Sequence, residues 1–129
     1  MSDLTTYLSD EILNWVKGSA FASAPATVYV DLLDVSDASI LNTIAGSANR
    51  QAITFGAITD DGTGRIMSNS ADITFTASAV GSATATQAAI YDAQTAGNQL
   101  ALTDLAASKS ISSGDEVKFS AGNLTFKID

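Results

Sequence analysis

A large apolar residue, a threonine and a phenylalanine stand in a row three times, as Ile53-Thr54-Phe55, Ile73-Thr74-Phe75 and Leu124-Thr125-Phe126. In an extended chain successive side chains point to opposite faces. Each triplet therefore sends two bulky groups one way and a threonine the other, which is the signature of a half-buried strand. The three copies predict a sheet protein with one dry face and one wet face. They also predict that Phe55, Phe75 and Phe126 stand as rungs on one face of a sandwich. Their unequal spacing excludes a solenoid repeat.

The rest of the chain extends the pattern. Residues 27–33 alternate, with Val28, Val30 and Leu32 on one face and Tyr29 and Asp31 on the other. Further strands are expected at 50–55, 65–68, 71–76, 84–91, 99–105, 116–119 and 124–128, the last two as a hairpin around 120–123. Turn residues such as Asp60-Asp61-Gly62-Thr63-Gly64 and Ala96-Gly97-Asn98 separate them. About seven or eight short strands at this spacing point to an all-β fold, an antiparallel sandwich of jelly-roll or immunoglobulin type. One helix competes, over residues 2–17, where Leu4, Tyr7, Leu8, Ile12, Trp15 and Val16 recur at helical spacing. Ser2 is placed to cap it, and Lys17-Gly18 to stop it. The expected organisation is a helix at 1–18 and a sandwich at 19–129 within one domain. Residues 40–48 fit a helical turn or an irregular edge equally well.

Composition limits both the core and the chemistry. Hydrophobic residues make up 46% of the 129, but alanine is the commonest of them. Alanine removes little area from water, so the core is thin and help from neighbouring subunits is expected. The net charge is −8, from 14 acids against 6 bases. This argues against a nucleic-acid binder, which needs a basic patch to displace counterions, and against anionic membranes. There is no cysteine and no histidine, which removes thiolate chemistry and the commonest general base. No run is long and apolar enough to cross a bilayer, and the first residues lack the basic stretch of a secretory signal.

The acids give two candidate calcium loops, Asp31/Asp34/Asp37 and Asp60/Asp61 with Thr63. Neither follows the helix-flanked calcium loop, and aspartate also favours turns by accepting hydrogen bonds from its own backbone. There is no nucleophile elbow and no phosphate-cradling glycine loop. No catalytic, cofactor or metal residue is assigned, and no enzyme is expected. Four residues are candidates for an interface with other subunits. Tyr7 and Trp15 lie on the helix, with Trp15 as an anchor, and Arg50 and Arg65 each stand at a strand start, where a local ion pair is the simpler role.

In order along the chain, the segments from Leu4 to Leu13, Ala24 to Val30, Arg50 to Gly56, Asn69 to Phe75 and Ser113 to Leu124 resemble a family of small virion proteins of tailed phages, described as tail-fibre-like or capsid cement-like. The resemblance implies a non-enzymatic structural protein located in the virion, made in the host cytoplasm, with no cofactor. The leading expectation is a capsid decoration protein, a trimer binding the major capsid protein. The alternatives are a tail-fibre or baseplate piece contacting the host, and a carbohydrate-binding sandwich module.

Overall fold

A computed structural model describes residues 4–41, 44, 50–77, 81–112 and 114–128 of the chain. The helix α1 (Thr6–Val16) precedes a run of strands. These are β1 (Val28–Leu33), β2 (Gln51–Ile53), β3 (Thr59–Asp60), β4 (Arg65–Ser68), β5 (Ile73–Thr76), β6 (Ala83–Tyr91), β7 (Gln99–Ile111), β8 (Glu116–Phe119) and β9 (Thr125–Ile128). One layer is a four-stranded sheet in the order β2-β1-β6-β7. Facing it are a three-stranded sheet, β3-β4-β9, and the pair β5-β8. Every strand pairing is antiparallel. The fold is an all-β sandwich with an N-terminal helix.

The expected final hairpin does not form. β8 pairs with β5, and β9 pairs with β4. The segments 65–76 and 116–128 therefore run side by side as one ribbon, which turns a corner between Ser68 and Ile73 on one strand and between Phe119 and Thr125 on the other. Asn69 stitches that corner. It is 2% exposed, and its side-chain amide donates to the carbonyls of Ala71 (2.8 Å) and Ser120 (3.1 Å) while its oxygen accepts from the Leu124 N–H (2.9 Å). Its own backbone N–H and carbonyl bond Leu124 and Gly122. A hairpin by sequence proximity yields because a corner with every buried polar group satisfied lets both halves of the ribbon turn their apolar faces to one core.

All three triplets point inward as the alternation requires. Ile53, Ile73, Phe75, Leu124 and Phe126 are buried in a single cluster, and Phe55 packs against it. They do not share one face, since they belong to three separate sheets. What they share is the interior. Phe55 meets Phe126 edge-on at 5.8 Å between ring centroids, and Phe75 meets Phe119 at 6.4 Å. Val30 and Leu32 of β1 fill the opposite wall, with Ala85 and Ala88 of β6 permitting close approach of the layers. Most of the ambiguous 40–48 segment lies outside the described residues, but Ile40, Leu41 and Ile44 are buried, and the Ile44 N–H bonds the Ile40 carbonyl.

The helix begins later than its capping pattern predicts. Ser2 lies outside the described residues, and Thr5 is the N-cap. Leu4 bridges Ala101 at the edge of β7, the Thr5 N–H bonds the Leu100 carbonyl, and the Thr5 hydroxyl reaches the carbonyls of Gln99 and Leu100. The pull of an open sheet edge on Leu4-Thr5 outweighs one more helical turn. At the other end Gly18 takes φ +95°, as the stop requires.

Phe75→Ala should cost about 3–5 kcal/mol in denaturant unfolding. Thr74→Ala, on the other face of the same strand, should cost under about 1 kcal/mol.

Candidate interaction surfaces

The outer face of β1 holds a charge that the sequence places in a hydrophobic run. Asp31, between Val30 and Leu32, is 2% exposed. Its carboxylate accepts from the Ser39 hydroxyl at 2.7 Å and from Nε of Arg50 at 3.2 Å. Arg50 in turn donates to the carbonyls of Ala93 and Ala96 and lies 3.5 Å from the centroid of the Tyr91 ring. Burying a carboxylate is costly unless it is paired and hydrogen-bonded, and here both conditions hold. The guanidinium fork thereby ties β1 to the end of β6 and the 92–98 loop. The alternation places Asp31 with Tyr29 on the face opposite Val30 and Leu32, and nothing in that pattern marks the face as covered.

The aspartates proposed as calcium loops serve their own turns. Asp31 faces Arg50, while the Asp34 carboxylate accepts from the Ser36 hydroxyl and from the backbone N–H groups of Ser36 and Ala38. Asp60 caps Gly62, and Asp61 caps Thr63 and Gly64. Among the described residues no three acids converge on a point that would hold a metal ion. The hydrogen bonds from Ser36 and Ala38 hold the Asp34 carboxyl below the usual carboxylate range. The Thr63 N–H, with Lys127, does so more strongly for Asp61. The Ala121 N–H and then Lys118 lower Asp72.

The helix exposes its C-terminal half. Leu13, Trp15 and Val16 are each at least 60% exposed, and Phe21 beyond the helix is 44% exposed. On the helical wheel Trp15 and Val16 continue the side of Leu8 and Ile12. That side meets the sheet near Leu8 and overhangs beyond it at Trp15. Tyr7 is half-buried. Arg65 is exposed, 3.6 Å from Asp60 in a surface pair. Of the four residues singled out as interface candidates, Trp15 presents the largest free apolar surface, while Arg50 is turned inward.

Hollows flank the sandwich among the described residues. A groove of about 670 Å³ runs between the middle of β7 and strands β8 and β9, and gathers Lys109, Lys118 and Lys127, half of the chain's bases. Lys118 pairs with Asp72, Lys127 with Asp61, and Lys109 lies over the Phe119 ring. The second hollow, of about 230 Å³, opens between the sheets beside the start of α1. Val28, Phe55, Met67, Ile90, Leu100 and Phe126 line it, so its walls are almost wholly apolar.

Comparison with known protein families matches residues 3–127 to the family described as Podophage GP4 fiber I protein gp80. The chain belongs to this family. It is a family of phage fibre structural proteins, so the protein is a component of the tailed-phage virion. No curated protein matches the chain. A sandwich with a buried ion pair at one side and an exposed aromatic helix end at another is consistent with a part that works by contact.

Arg50→Ala leaves Asp31 buried and unpaired and should cost about 3–5 kcal/mol by chemical denaturation. Arg50→Lys keeps the charge but loses the fork, and should fall between that variant and the parent. Because the carboxyls of Asp34, Asp61 and Asp72 sit below their unfolded value of about 3.9, their contribution is present above that pH and is lost as pH falls from there through the lower folded values. Thermal midpoints should be flat from about pH 7 to 5 and drop below about pH 4. Asp61→Asn should lessen that drop.

Proposed function

We propose that the protein is a non-enzymatic building block of a fibre on the virion, acting through contacts with further copies of itself and with neighbouring tail proteins. The observation that carries this reading is the family match across residues 3–127. The physical features agree with it. The core relies on alanines such as Ala85, Ala88 and Ala101, and apolar area remains exposed at Trp15, Val16 and Ile58, as in a subunit that completes its burial by association. A closed ring of identical subunits is the simplest assembly.

A shell-decorating protein that binds the major capsid protein and stabilises the shell by linkage is the second reading. The fibre family favours the tail position over it. Immunogold labelling of purified virions with an antibody to this protein tests the choice. Label confined to the tail or its fibres, with tens of copies or fewer per particle, is the expected outcome. Label spread over the head, with hundreds of copies, would select the decoration role. Particles lacking the protein should lose adsorption to the host and keep their resistance to osmotic shock.

A further inference from the structure

We propose that copies of this chain join head to tail, with Trp15 of one copy entering the apolar hollow between the sheets of the next. The inference rests on the fibre reading only for the setting in which copies meet.

Each copy carries both a knob and a hole, and one chain does not bring them together. Trp15 is 62% exposed at the overhanging end of α1, and it is not among the residues that line the hollow. The helix contributes only Leu8 to that lining, with Leu4 just before it. The hollow is open, since Ile58 at its mouth is 62% exposed and Ile128 49%. A dry cavity of about 150 Å³ lined by such residues accommodates a benzene ring. One of about 230 Å³ has room for an indole. Filling it would bury the apolar surface on both sides at once.

Charge selects the same pairing. Near the knob, the acids Asp10 and Glu11 outnumber one base, Lys17. Glu11 stands one helical turn before Trp15, on the same side. The mouth of the hollow carries Arg65 and Lys127, two of the six bases in a chain of net charge −8. Their acidic partners, Asp60 and Asp61, lie at the β3–β4 turn; the Arg65–Asp60 pair is exposed enough to rearrange at little cost, while the Lys127–Asp61 pair is half-buried and stays in place. An approaching Glu11, whose carboxylate also accepts from the Ala22 N–H, therefore meets Arg65 where Trp15 meets apolar walls. Because the two patches differ, the contact is heterologous. It closes into a ring if the rotation between copies allows and extends as a filament if it does not.

The chain has no cysteine, so cross-linking gives a direct test. Trp15→Cys and Ile58→Cys are made as separate proteins, both at exposed positions, and oxidised alone and as an equal mixture. The expected result is a covalent dimer in the mixture that forms faster than in either protein alone. In sedimentation, Trp15→Ala should weaken self-association about 30-fold or more, with the thermal midpoint of the free subunit unchanged. Ile58→Asp should weaken it as well, and the double variant no further than the stronger single one. A Trp15→Cys protein that cross-links to itself as fast as the mixture would overturn the proposal in favour of a two-fold helix contact. Parent protein that stays monomeric at every concentration would overturn it in favour of a different partner chain. Either failure leaves the position in the virion, measured by labelling, untouched.

Discussion

The fold turns on the side chain of Asn69. The two ribbon segments that form the layer facing the four-stranded sheet must bend together, and a bend strips backbone groups of their ladder partners inside the protein. Asn69 replaces those partners. Its amide serves the carbonyls of Ala71 and Ser120 and the N–H of Leu124 from a position 2% exposed. The neighbouring bonds from Ser70 N–H to the Thr54 carbonyl and from Gly56 N–H to the Ser68 carbonyl bring the end of β2 to the same corner. Phe75, Phe119 and Phe126 can then converge on one interior from two sheets, with Phe55 joining them from beyond the end of β2.

Strand positions were legible in the sequence because they are written in local alternation. The triplets and Val28, Val30 and Leu32 place their bulky residues where the structure has them, whereas the helical stripe meets the sheet only in its first turns and leaves Trp15 and Val16 exposed. Pairing was less legible. Glu116–Phe119 and Thr125–Ile128 are near in sequence, yet each finds a partner some fifty residues away, and no local pattern encodes that choice. The start of the helix was misjudged for a related reason. Ser2 reads as a cap by itself, but the open edge of β7 takes Leu4 and Thr5. β7 also runs on to Ile111, past the expected end at 105, because its small and polar residues from Ala106 to Ser110 give no alternation to read. Of the candidate interface residues, Trp15 is exposed as an anchor would be. Arg50 makes the local ion pair that was its simpler role, half-buried against Asp31 and the 92–98 loop.

The two strongest polar features therefore hold the protein's own shape, and the apolar features left over face outward. Asp31 with Arg50 fixes one side of the sandwich, and Asn69 fixes the other. The helix end and the hollow between the sheets carry unspent apolar surface. That division suits a subunit whose work is to present a rigid outline to its neighbours.

The pairing of β6 with β7 contains a break whose consequence reaches beyond the subunit. Between Gln87–Asp104 and Ala85–Lys109 the single residue Thr86 stands against four, Leu105 to Ser108, and the Thr86 hydroxyl and the Gln87 side-chain oxygen are buried without a hydrogen-bond partner. A regular thirteen-residue edge would be a template on which identical subunits could stack strand against strand without limit. The swelling in β7 spoils that template at its middle, while Leu4 and Thr5 cover its beginning. Two unsatisfied oxygens are a small loss of stability beside a protein crowded at high local concentration that keeps its copies from growing into a continuous sheet.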